Sequence, residues 1–194
     1  MVVKMCKEGL YRFLRPILTI LIKIIFHPKV IGKENIPKEG RAVLAGNHTN
    51  ILDPVFILSL TKRTVHFLAK IELIKSPLGI GYKHMGIVPV NRQIKDKTVM
   101  PAAIDCLNNN LLIGVFPEGT VNKTKEPTIK FKTGAVRMAN ETNSNIVPFA
   151  ITGKYTPFGK LTISFGKPYK VSDNVIKENE KLRSIINKMI MERR

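Results

Sequence analysis

The sequence has no tryptophan and only four tyrosines. Proteins that follow single-stranded nucleic acid stack its bases on aromatic rings, and this chain has few to offer. It also has neither a zinc-finger spacing nor an RRM-type aromatic motif, so no nucleic acid is expected as partner. Its two cysteines, Cys6 and Cys106, form neither a disulfide framework nor a metal-ligand spacing, which points to a reducing compartment. His27, His66 and His84 lack ligand spacing as well, and no metal is expected. A G-x-S-x-G elbow and a Walker A sequence are missing, and Gly79, Gly81 and Gly86 are wrongly spaced for a dinucleotide fingerprint. Cys106 has no cationic neighbours, which argues against a cysteine nucleophile. Acidic residues are scarce, 14 against 32 Lys+Arg, for a formal net charge of +18. Such a chain should seek polyanions: anionic lipid, an acidic protein or a phosphorylated substrate. In the N-terminal segment the longest charge-free run is Pro16 to Ile22, far short of the ~20 residues a bilayer crossing needs.

What is present suits one folded domain. The 194 residues are 44% hydrophobic, without repeats or low-complexity tracts. Residues 1–27 read as a helical arm. Leu10, Phe13, Leu14, Ile17, Leu21 and Ile24 recur on one side, with Ile20 and Ile25 at its margins, and Lys4, Glu8, Arg12, Arg15, Thr19 and Lys23 on the other. Lys23 interrupts the apolar part and no small-residue cleavage site follows, so a signal peptide fits poorly. The expectation is an amphipathic helix lying in an anionic membrane surface, its basic side toward the headgroups, with a break at Arg15-Pro16.

Residues 28–194 read as a single α/β domain, a mostly parallel mixed sheet flanked by helices. Strands are expected over Val30–Gly32, Arg41–Ala45, Thr64–Ala69, Ile87–Val90, Leu111–Phe116, Ile146–Ile151 and Leu161–Phe165. Helices are expected over Pro54–Leu60, Pro77–His84, Thr98–Asn108, Gly134–Glu141 and Val175–Met191. In such sheets ligands bind beyond the C-terminal strand ends. Three polar stretches follow such ends: Asn47-His48 to Asp53, Asn91-Arg92, and Pro117-Glu118-Gly119.

Each stretch has a chemical and a plain reading. Imidazole accepts a proton near neutral pH, and a carboxylate on its other nitrogen would fix the tautomer. His48 and Asp53 stand five apart, so they meet only if His48 lies on a turn entering the helix. The pattern equally fits Asp53 as an N-cap with Pro54 at the first helical position, and His48 as a loop residue. Arg92 suits bidentate phosphate binding or is simply solvated. Glu118 could accept from substrate hydroxyls, with Gly119 admitting close backbone approach, or the pair makes an ordinary turn. Lys123, Lys125, Lys130, Lys132 and Arg137 follow, against only Glu126 and Glu141. They form a cationic rim or a solvated loop.

Taken together in order, these stretches resemble the 1-acylglycerol-3-phosphate acyltransferase (PlsC-like) family of glycerolipid acyltransferases. The family's N-H-x4-D turn is matched by Asn47-His48 to Asp53, and its arginine-ended G-x-I/V strand by Gly86 to Arg92. Its F-P-E-G-T-R motif is matched by Phe116 to Thr120, followed by Phe131-Lys132-Thr133-Gly134, and its V-P strand by Val147 to Gly153. The resemblance runs from about Gly32 to Gly166. It implies acyl transfer from acyl-CoA or acyl carrier protein to the sn-2 hydroxyl of lysophosphatidate, giving phosphatidate. The thioester is a co-substrate and no cofactor is needed. His48 would be the general base oriented by Asp53, with Arg92, Glu118, Gly119, Thr120, Lys123 and Lys132 binding the acceptor and its phosphate. The enzyme would work peripherally, at the cytoplasmic face of the cell membrane. One position departs from the pattern: Val121 stands where the third motif usually closes with arginine. The departure implies either weaker phosphate binding or a different acceptor headgroup.

Overall fold

A computed structural model describes residues 9–70, 88–90, 99–157 and 159–193. The helix expected over 77–84 and Arg92 lie outside these residues.

Five strands form the parallel body of one sheet, in the spatial order β6 (Asn145–Thr152), β2 (Ala42–Gly46), β5 (Leu112–Val115), β3 (Val65–Lys70), β4 (Val88–Val90). On the far side of β6, β7 (Thr162–Phe165) and β8 (Tyr169–Lys170) pair antiparallel with it, and β1 (Lys29–Ile31) lies outside β7. β7 and β8 follow one another along β6, separated by Gly166, Lys167 and Pro168. Pro168 has no N–H for the ladder, which is why β8 is absent from the sequence reading. The fold is therefore the expected mostly parallel mixed α/β sheet.

β2 is buried along its whole length because both faces of the sheet are covered. Its side chains alternate between two cores. Ala42 and Leu44 join Phe56, Ile57 and Leu60 of α2 (Asp53–Leu60), and Ile22 of α1 (Gly9–Phe26). Val43 and Ala45 join three helices on the other face: α3 (Val99–Asn108), α4 (Gly134–Glu141) and α5 (Val175–Met191). In α5 the buried residues Leu182, Ile186, Met189 and Ile190 keep the spacing of a single helical face. Asn174 starts that helix, its side chain accepting from the Lys177 amide.

One expectation for the arm is corrected. α1 runs unbroken through Pro16, which is exposed on its outer side and forfeits only its own hydrogen bond to position 12. The side that packs on the domain is the one read as polar. Thr19 faces α2, its hydroxyl 3.0 Å from the Ser59 carbonyl oxygen and 2.8 Å from that of Arg15. Arg15 reaches toward the Lys62 carbonyl from the same side. Ile22 is buried there, and Phe26 meets Phe56 edge-on with centroids 5.1 Å apart. Phe13, Ile17, Ile20, Leu21, Ile24 and Ile25 are left exposed. A helix with some apolar and some polar residues on each face can dock on either, and α2 selects the face whose threonine reaches a free carbonyl.

Candidate active site

The C-terminal ends of β2, β5 and β6 are neighbours in the sheet, and the chain leaving each one contributes to a single cluster. β2 ends at Gly46. Asn47 then extends the ladder with its side chain: Nδ2 donates to the Ile151 carbonyl (2.9 Å) and Oδ1 accepts from the Ile151 amide (2.8 Å). This buried clasp fixes where β2 stops and where His48 begins.

His48 lies on the turn before α2. Its Nδ1 is 2.8 Å from Asp53 Oδ2, with the imidazole side chain 17% exposed and the carboxylate fully buried. The same carboxylate oxygen accepts from the amides of Thr49 (2.7 Å) and Asn50 (2.9 Å). The other, Oδ1, takes the Tyr155 hydroxyl and, at 3.4 Å, that of Thr49. The helix-cap alternative is thereby corrected by one residue. Leu52 is the N-cap, Asp53 the first helical residue, and Asp53's oxygens turn back to the amides of the turn. With carboxylate on Nδ1, the proton of the neutral ring sits on Nδ1 and the lone pair on Nε2.

The ring rests on Phe116, stacked at 4.1 Å, and Phe116 in turn stacks on Phe67 at 5.3 Å. Gly114 makes this row possible, since a Cβ there would come within 2.5 Å of the Phe67 ring. Phe116 thus fixes the plane of the imidazole, a role that reading the motif did not assign to it.

Glu118 sits beneath the turn. Oε1 accepts from the His48 amide (2.9 Å) and Oε2 from the Ile129 amide (3.0 Å), and the residue is only 3% exposed. The resemblance gives Glu118 to the acceptor; here both of its oxygens already hold main chain. Burial raises its carboxyl above the usual glutamate range, opposed by the two amide hydrogen bonds. The Asn122 amide donates to the His48 carbonyl oxygen (2.7 Å), so His48 is gripped at both main-chain atoms by the segment after β5.

Gly119 has φ 72, a left-handed conformation, and Lys132 lies directly over it: a Cβ at 119 would come within 2.9 Å of Lys132 Cε and Nζ. The Lys132 amide also donates to the Pro117 carbonyl (2.8 Å). The structure therefore gathers His48, Asp53, Glu118, Gly119 and Lys132. Thr120 and Lys123 are exposed on the loop that flanks Asn122. Tyr155, two residues beyond Gly153, carries no sequence signal beyond its position after the last motif.

Comparison with known proteins agrees with this arrangement. The Acyltransferase family model matches residues 27–152, a span that holds every residue of the cluster just described except Tyr155. The chain is 35% identical over 133 residues to a 1-acyl-sn-glycerol-3-phosphate acyltransferase of Borreliella burgdorferi, covering 67% of this chain and 51% of that protein. With the enzyme of that name from Bacillus subtilis it shares 27% identity over 171 residues, 84% of each. The chain thus spans about half the length of the first relative and most of the second. The crystal structure of the 1-acyl-sn-glycerophosphate (LPA) acyltransferase PlsC from Thermotoga maritima matches with a TM-score of 0.71 at 25% identity, covering 86% of this chain and 73% of that one. With the histidine–aspartate turn, the buried glutamate and the sheet that joins them all inside the matched span, the chain belongs to the Acyltransferase family.

Proposed function

We propose that this protein transfers a fatty acyl group from a thioester, acyl-CoA or acyl carrier protein, to the sn-2 hydroxyl of lysophosphatidate, forming phosphatidate. The observation that carries the reading is the 2.8 Å contact of His48 Nδ1 with a fully buried Asp53. It leaves Nε2 as the basic nitrogen on a partly exposed ring. The names of the relatives support the choice of substrate.

Nε2 takes the proton of the sn-2 hydroxyl as its oxygen attacks the thioester carbonyl. The tetrahedral intermediate collapses with cleavage of the C–S bond, and the imidazolium returns the proton to the leaving thiolate. Asp53 stabilises the imidazolium between these steps. Positioned base catalysis of this kind supplies about 10²–10⁴-fold, and alignment of the two substrates supplies much of the rest. Lys123 and Lys132, with Arg92, hold the acceptor phosphate, while Gly119 and Thr120 line its glycerol. Glu118 acts from underneath, holding the main chain of the base.

No helix among the described residues is long and apolar enough to cross a membrane. The exposed apolar row of α1 and the +18 charge suit peripheral binding to an anionic lipid surface, on the cytoplasmic face, where a lysolipid enters without leaving the bilayer. The test is acyl transfer to lysophosphatidate from acyl-CoA and from acyl carrier protein. Wild type should make phosphatidate, and His48→Ala and Asp53→Ala should lose nearly all turnover. Full activity in His48→Ala would end the base assignment. A different lysolipid acceptor is the second reading, favoured by Val121 alone, and profiling of acceptors separates the two.

A further inference from the structure

The Asp53 carboxylate has two oxygens with different duties. Oδ2 serves His48 and two amides, whereas Oδ1 receives the hydroxyl of Tyr155 and the weaker contact from Thr49. Tyr155 comes from the loop between β6 and β7, 102 positions from Asp53 in sequence. Its ring is wedged edge-on against Phe56 of α2, with centroids 5.2 Å apart, and packs on the core beneath α1 and α2. A ring so held has little freedom to withdraw its hydroxyl.

We propose that Tyr155 is a positioning residue of the acyl-transfer site, acting through Asp53. By anchoring Oδ1 it holds the carboxylate plane so that Oδ2 stays on His48 Nδ1. By donating a charge-assisted hydrogen bond it also tempers the pull of that carboxylate on the Nδ1 proton. The inference rests on the reading of His48 as base. Burial first, then the Asp53 charge and the hydrogen bond to it, push the Tyr155 phenol far above its ordinary range, while Thr49 opposes them. The hydroxyl therefore remains a donor throughout the working pH range. Among the described residues, Glu118 also acts on the pair, reaching it from the segment after β5 through the His48 amide, with the Lys132 ammonium over Gly119.

The sign of the effect is fixed by the chemistry. Removing the hydroxyl leaves more negative charge on Oδ2, which strengthens Nδ1–H···Oδ2 and favours the imidazolium. In Tyr155→Phe the low-field Nδ1 proton resonance of His48, identified by its loss in His48→Ala, should move further downfield. The acid limb of the kcat/KM profile should move to higher pH by roughly half a unit, and kcat should fall about 10-fold with smaller changes in either KM. A merely structural tyrosine would lower thermal stability and leave both the resonance and the limb in place, which would overturn the proposal. Phenylalanine keeps the contact with Phe56, and circular dichroism matching wild type shows that the variant is folded; if it is not, Tyr155→Leu, which also lacks the hydroxyl and keeps an apolar side chain against Phe56, is read in the same way. The resonance needs no turnover. A moved resonance alongside an active His48→Ala would therefore uphold the Tyr155–Asp53–His48 coupling while removing its catalytic meaning. An unmoved one with inactive His48→Ala would remove Tyr155 alone.

Discussion

Asn47 pairs with the main chain of Ile151 through both atoms of its amide, as though β2 ran one residue further along β6. The side chain does what the backbone no longer can, because the chain turns away there to present His48. Replacing Asn47 with alanine leaves the amide and the carbonyl of Ile151 without a partner in a buried place. Each such group costs about 1–3 kcal/mol, so Asn47→Ala should lose roughly 2–6 kcal/mol of stability in urea denaturation, and more activity than its stability explains. Wild-type stability in this variant would mean that the clasp is incidental.

Glu118 makes a linkage prediction. Its burial favours the neutral carboxyl, and the amides of Ile129 and His48 favour the charged one; burial is the larger effect and the proton is held to higher pH than in the unfolded chain. Stability from this group is then fully present below the ordinary glutamate range and is lost as pH rises through the folded value. The stability difference between wild type and Glu118→Gln should shrink in denaturant titrations as pH rises through and above the ordinary glutamate range. A difference that widens with pH would show the amides to dominate. Activity should fall in Glu118→Gln at all pH values, because a carboxamide cannot accept from both amides at once and the His48 main chain loosens.

Much of this fold is written in local pattern. The apolar runs of β2, β5 and β6 are continuous because both faces are covered, and α4 and α5 begin and end where their spacing predicts. What local pattern does not carry is the choice of partner. Nothing near Thr19 says that Ser59 offers a carbonyl to it, so the docked face of α1 is invisible until α2 is in place. The same holds at the site. His48 and Asp53 are close in sequence and legible as a pair. Tyr155, Phe116 and Asn122 join them across 102, 68 and 74 positions only because β2, β5 and β6 are adjacent in the sheet. The Glu118 carboxylate illustrates the limit from the other side: its motif marks it as important, but only the fold shows it turned inward onto main-chain amides.

The two faces of α1 should separate by mutation. Ile22 is buried against α2, and Ile22→Ala should destabilise the fold by about 2–5 kcal/mol through the cavity it leaves. Ile20 and Ile24 are 58% and 63% exposed, so replacing both with aspartate should leave the thermal midpoint nearly unchanged. Sedimentation with anionic vesicles should nonetheless show the double variant released into the supernatant, because apolar insertion is lost and two negative charges face the headgroups. Undiminished vesicle binding would remove the outward row of α1 from the membrane contact.

Val121 offers a gain of function as a test. It lies between exposed Thr120 and Asn122, whose amide holds the carbonyl oxygen of His48, so position 121 is one residue from a main-chain contact with His48. The cations nearest in sequence are Lys123 and Lys125, flexible exposed side chains that present point charges. An arginine at 121 would add a planar fork matched to two phosphate oxygens, worth on the order of 1 kcal/mol at a partly exposed site. If lysophosphatidate is the acceptor, Val121→Arg should lower its KM roughly 3- to 10-fold, with kcat and the donor KM nearly unchanged. If the natural acceptor carries a different headgroup, the same substitution should raise the KM for that lysolipid while improving lysophosphatidate, shifting the preference between them. Steady-state kinetics on a small panel of lysolipids distinguishes these outcomes, and an acceptor preference indifferent to the substitution would place phosphate recognition away from this turn.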